Sequence, residues 1–122
     1  EKKPLFTTQE RVAMLREVTG QWNNVEVDTF EGLLVNYAKA NEAQVILRAI
    51  RAVTDYEYEF QMALMNRRME PDIETVFMVP AEEYAYLSSR LVKEIFLLGG
   101  SVSGLVPPAV EDSLMKKTGS EE

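Results

Sequence analysis

Val45-Ile46-Leu47-Arg48-Ala49-Ile50-Arg51-Ala52-Val53-Thr54-Asp55-Tyr56-Glu57-Tyr58-Glu59 is the stretch on which the reading of this chain turns. It opens as an apolar, β-branched run, which predicts a short strand over Gln44–Leu47 covered on both faces. It closes on alternating acids, which suit the positive first turn of a helix. Between strand and helix stand Arg48 and Arg51. Open α/β sheets bind ligands at the C-terminal ends of their strands, and a guanidinium offers a planar fork of donors suited to phosphate oxygens. Two readings follow. Either the arginines form a site for a doubly or triply phosphorylated ligand, or they pair with the many nearby acids.

Working outward, Thr7-Thr8-Gln9-Glu10 is a capping box with Thr7 as N-cap. It predicts a helix to about Thr19 with Val12, Leu15 and Val18 on one face and Gly20 as its stop. Val25-Glu26-Val27-Asp28 reads as a short strand, with Trp22 packing over a sheet edge. A helix carrying Val35, Tyr37 and Ala38 follows to about Asn41. Thr54-Asp55-Tyr56-Glu57 reads as a second capping box, opening a helix through Met62, Leu64 and Met65 to about Met69. Thr75–Val79 is a third strand, and Ser88-Ser89 open a helix through Leu91, Val92, Ile95 and Leu98 that Gly99-Gly100 ends. Pro107-Pro108 start a last helix packed through Val110, Leu114 and Met115. Alternation of this kind predicts α/β architecture with a parallel sheet, read as one domain over residues 1–122. Three strands are few for such a sheet, and the chain opens on Glu1 rather than methionine; the expectation is a domain lacking its leading strand or strands.

Composition narrows the chemistry. A net charge of -7 argues against general nucleic-acid binding. No apolar run approaches a membrane span. Without cysteine there are no disulfides and no thiolate metal site, and without histidine the commonest acid/base and metal ligand is missing. Catalysis by this chain would rest on Lys, Arg, Asp, Glu, Ser or Tyr. Lys2-Lys3 on the opening loop, Arg48 with Arg51, Glu57 with Glu59, and Ser88-Ser89 at a helix start are the candidate clusters. The arginines and the serines both follow strand ends, so they should converge on one edge of the sheet. A helix N-terminus there would present backbone N–H groups to an anion.

Several blocks together resemble bacterial phosphopantetheine adenylyltransferases: Lys2-Lys3-Pro4-Leu5-Phe6-Thr7 with Glu10-Arg11-Val12, Leu47-Arg48-Ala49-Ile50-Arg51-Ala52-Val53 with Asp55-Tyr56-Glu57-Tyr58-Glu59, Met65-Asn66-Arg67, and Leu87-Ser88-Ser89-Arg90-Leu91-Val92-Lys93-Glu94. The resemblance runs from Lys2 to Lys117. It implies a Rossmann-like nucleotidyltransferase fold and a cytoplasmic homohexamer. The implied reaction is transfer of AMP from ATP to 4'-phosphopantetheine, giving dephospho-CoA and pyrophosphate in coenzyme A biosynthesis, with Mg2+ and with CoA as a feedback ligand. By the same resemblance, Lys2 would bind the reacting phosphates, Leu34 would line the pantetheine arm, and Arg48 would hold the phosphopantetheine phosphate. Lys2 and Arg48 would be the catalytic residues. Ala49, Ile50, Arg51 and Glu59 would lie on the ATP side. Tyr84, Ala85, Tyr86, Leu87, Ser88, Ser89 and Arg90 would cradle ATP, and no residue of the chain is assigned to metal.

Two departures from the family pattern stand out. Ala49 occupies a usual glycine position, where a methyl group penalises positive φ. The family's opening strand, with its Thr-Gly-x-Phe-Asp-Pro and His-x-Gly-His-type motifs, is not in these 122 residues. The polypeptide starting at Glu1 is therefore expected to be inactive or nearly so. The alternatives are another adenylyl- or cytidylyltransferase of the superfamily, or a non-catalytic α/β module for a phosphorylated ligand or a protein partner.

Overall fold

The computed structural model describes residues 4–118. Its elements run α1 (Thr8–Thr19), α2 (Leu34–Ala40), β1 (Val45–Ala49), α3 (Tyr56–Met69), β2 (Glu74–Met78), a 3-10 turn (Glu82–Tyr84), α4 (Ser89–Leu97) and α5 (Pro108–Lys117). The chain divides into two compact units. One is Phe30–Leu91; the other combines residues 4–29 and 92–118.

The Phe30–Leu91 unit is a strand–helix–strand core. β1 and β2 pair in parallel, from Val45 opposite Glu74 to Ala49 opposite Met78, with α3 as the crossover. The pleat sends alternate side chains to opposite faces. Ile46 is buried with Val35 and Ala38 of α2 and with Ile73, and Leu34 and Ala43 pack against this cluster. Val35 is fully buried, a burial worth about 2 kcal/mol. The other face differs from the expectation of cover on both sides: Val45, Leu47, Val76 and Met78 are exposed. An unbroken apolar run does not say which alternate residues a sheet will cover.

Two further expectations are corrected. Val25–Asp28 forms no strand. The Val27 carbonyl accepts a long bond of 3.5 Å from Arg16 Nη2, and Thr29 N donates to Asp28 Oδ1 at 2.8 Å, so side chains replace a ladder. Trp22 accordingly has no sheet edge at that strand to cover, and it is exposed. The second correction is at α3, whose N-cap is Asp55, with its side chain accepting from Tyr58 N. Thr54 is used elsewhere: its Oγ1 accepts from Arg51 N at 2.9 Å, closing the turn before the helix.

In the other unit α1 packs on α5. The Thr7–Glu10 capping box forms as the sequence predicts. Leu15 and Met115, expected on packing faces, are exposed, whereas Leu114 is buried. α4 ends at Leu97 with Leu98 exposed, and Gly99, at φ +91°, carries the left-handed turn that follows.

Candidate active site

The candidate site lies within the Phe30–Leu91 unit and is built on β1. Arg48 is inside the strand, not after it, and shares the α3-facing side of the pleat with Ile46. Across from it, α3 presents Glu59, Met62, Ala63 and Asn66, a spacing of i, i+3, i+4 and i+7 that forms one helical face. These residues, with Leu33 and Leu34 at the start of α2, Tyr58 of α3 and Thr75 of β2, line one cleft. Leu34, Arg48 and Glu59 thus line one cleft, whereas the resemblance puts Leu34 and Arg48 on the phosphopantetheine side and Glu59 on the ATP side. Tyr58, Met62, Ala63, Asn66 and Thr75 received no role from sequence, although the helical spacing from Glu59 to Asn66 was there to be read.

Arg48 forms a fork with Glu59. Nε donates to Oε1 at 3.0 Å and Nη2 to Oε2 at 2.7 Å. The arginine side chain is 49% exposed and the acid 14%. With one partner half in water, the pair adds about 1 kcal/mol. Hydrogen bonding to Arg48, supported by its charge and opposed by desolvation, holds the Glu59 carboxyl below its ordinary value. The same bond raises the Arg48 guanidinium. The ion-pair reading of Arg48 is therefore realised in the structure.

Arg51 is held differently. Its Nη1 donates to the Leu87 carbonyl at 2.7 Å. Ala52 N donates to Ala85 O at 2.7 Å, and Ile50 N donates to Met78 O at 2.8 Å. These bonds bind the segment after β1 to the segment after β2 and bring Arg51 beside the stretch that leads to Ser88-Ser89; Arg48, within β1 and turned to Glu59, takes no part in them. They also hold Tyr84–Ser88 in place ahead of α4. Ser88 Oγ accepts from Leu91 N at 3.1 Å, as an N-cap does. Tyr84, Tyr86, Ser89 and Arg90 are exposed along this segment, while Ala85 and Leu87 contribute the accepting carbonyls. Glu83, by hydrogen bond and then charge, raises the Tyr84 hydroxyl above its ordinary value.

Ala49 does not take a positive φ; among the described non-glycine residues only Glu42 does. The strain expected from a methyl group at that position does not arise, because the residue is extended in β1. Lys2, the remaining sequence-predicted site residue, lies outside the described residues. Among the described residues no three of His, Cys, Asp and Glu converge on a possible metal position. The described residues thus offer no all-protein cage for magnesium, an ion commonly held by substrate phosphates instead.

The arrangement is a cleft floored by apolar side chains, with a guanidinium at one end. Beside it, main-chain bonds hold a loop and a helix start after the strand ends. Residues 1–95 match the cytidylyltransferase-like family. The chain is similar to a phosphopantetheine adenylyltransferase of Aromatoleum aromaticum, 53% identical over 95% of this chain and 71% of that protein. It is similar to those of Caldanaerobacter subterraneus, 53% identical over 95% and 72%, and Geotalea daltonii, 54% identical over 96% and 73%. A parallel strand pair with a helical crossover, one arginine within β1 and another just after it, and these relatives agree: the chain belongs to the cytidylyltransferase-like family, among the phosphopantetheine adenylyltransferases.

Proposed function

We propose that this protein transfers the adenylyl group of ATP to 4'-phosphopantetheine, giving dephospho-CoA and pyrophosphate. The observation that carries the reading is the juxtaposition at β1: Arg48 in a cleft lined by Leu33, Leu34 and Met62, and Arg51 tied to the segment before α4. The first suits a phosphorylated acceptor whose methyl and methylene groups lie along Leu34 and Met62. The second suits a nucleotide beside Tyr84–Arg90. A phosphate oxygen of the acceptor attacks the α-phosphorus of ATP. One P–O bond forms, the bridge to the β-phosphate breaks, and pyrophosphate leaves with the electron pair. No protein nucleophile is needed, so the residues contribute position and stabilisation of charge on the transferring oxygens. Arg48 would hold the acceptor phosphate, while Ala49, Ile50, Arg51 and the serine helix start would face ATP. Lys2 would bind the reacting phosphates, and magnesium would arrive with the triphosphate oxygens.

Cytoplasmic location, a homohexamer and CoA as a feedback ligand belong to the same reading. No described helix is long and apolar enough to cross a membrane. The deciding experiment is pyrophosphate release by the full-length protein with ATP and either 4'-phosphopantetheine or nicotinate mononucleotide. Turnover with the first alone is expected; preference for the second would replace this reading with another nucleotidyltransferase activity.

A further inference from the structure

We propose that Glu59 is a positioning residue for Arg48: it holds one edge of the guanidinium so that the opposite edge meets the acceptor phosphate. This rests on the reading of Arg48 as the phosphate ligand and gives Glu59 a second role beside the nucleotide-side place that the resemblance implies.

A guanidinium carries five N–H donors in a rigid fork. Glu59 takes one on Nε and one on Nη2. The donors left on Nη1 and Nη2 form a second fork that matches two phosphate oxygens. The ion pair therefore does not use up the arginine.

The partners are unequal. Glu59 is the enclosed one, with a side chain 14% exposed against 49% for Arg48. It projects from the first turn of α3, whose start Asp55 caps. Arg48 comes from β1, paired along its length with β2. Both ends of the fork thus stand on regular elements, the placement that makes a binding group precise. A free arginine has much rotamer freedom, which a ligand would have to remove on binding. Glu59 removes it beforehand.

An opposing effect exists, since a carboxylate repels an incoming phosphate. The width of the guanidinium separates the two charges, and water screens them at this half-exposed group. Loss of the fork acts directly on donor geometry, so positioning outweighs repulsion.

The test measures calorimetric dissociation constants for 4'-phosphopantetheine and for pantetheine, and the KM for ATP, in full-length protein. The proteins are wild type, Glu59→Gln, Arg48→Met and the double variant. Glu59→Gln is expected to weaken phosphopantetheine binding roughly tenfold. Pantetheine binding should stay unchanged, and the phosphopantetheine loss should vanish in the Arg48→Met background, whatever the accompanying change in the KM for ATP. Glu59→Asp, which keeps the charge on a shorter arm, should show the same phosphate-selective loss; a general disturbance of the cleft would weaken both ligands. Tighter phosphopantetheine binding in Glu59→Gln would overturn the proposal by making Glu59 a competitor. A loss confined to the KM for ATP, or one that adds to that of Arg48→Met, would overturn it too. Wild-type protein that binds neither ligand would instead overturn the functional reading on which the proposal rests.

Discussion

Glu59 with Arg48 and Glu10 with Lys117 are both carboxylate–cation pairs, one in each unit of the chain. The first joins a strand and a helix 11 residues apart, in a fork whose acid is nearly enclosed. The second joins residues 107 apart, with 43% and 32% of the side chains exposed. Glu10 also accepts from Thr7 N as part of the capping box, and the Lys117 ammonium lies 5.9 Å from the Phe6 ring centroid. Both partners there are tied to further groups of the protein, the carboxylate to the cap and the ammonium to the ring. At Arg48 an edge of the guanidinium is left over. The contrast teaches that an ion pair serves binding when its geometry leaves donors toward a cleft, and serves packing when it does not.

The sharpest way to break this contrast is Arg48→Ala. Removing a charge-assisted fork to a phosphate should cost about 2–3 kcal/mol of phosphopantetheine binding, read by calorimetry, whereas Lys117→Met should leave that binding unchanged. Equal losses from the two changes would erase the distinction. Next in size is Arg51→Met, which frees the Leu87 carbonyl and loosens the segment before α4. It should raise the KM for ATP by roughly tenfold, about 1.4 kcal/mol, with little change in phosphopantetheine binding.

In the other unit Thr7→Ala removes an N-cap and should lower stability by about 1 kcal/mol in chemical denaturation, with substrate binding intact. The smallest effect concerns the turn after α2. Glu42 sits there at φ +59°, so Glu42→Gly should stabilise the Phe30–Leu91 unit by up to about 1 kcal/mol. A destabilised variant would show that the Glu42 side chain contributes more than its backbone costs.

Acid should act on both pairs in the same direction. Glu10 is held below its ordinary value by the Thr7 backbone bond and then by Lys117, and Glu59 by Arg48. A carboxyl depressed in the folded state contributes stability that is complete above its unfolded value. That stability is lost as pH falls through the folded value. Denaturation midpoints should therefore drop on acidification below the ordinary glutamate range, and Glu10→Gln should flatten part of that slope.

Much of the fold was legible because local chemistry marks it. Thr7 with Glu10, Pro108, and Gly99 announce helix ends through hydrogen-bonding and φ requirements that no distant contact alters. Val25–Asp28 misled for the opposite reason. Alternation predicts a strand only where a second strand supplies a ladder, and here side chains satisfy Val27 and Thr29. The cleft was half legible: Arg48 and Leu34 received roles through the resemblance, whereas Asn66, though part of a resembling block, and Thr75 received none, since a residue's neighbours across a crossover leave no local mark.

By itself the sequence determined the capping box of α1, the serine start of α4, the strand–helix–strand order and the presence of two arginines around the end of β1. It left open whether Arg48 meets an acid or a phosphate, and which acid. Only the tertiary structure decided that. The pleat of β1 turns Ile46 and Arg48 toward α3, and successive helical residues differ by about 100°. Glu59 therefore reaches the guanidinium, while Glu57, two residues earlier on the same helix, stays exposed to solvent.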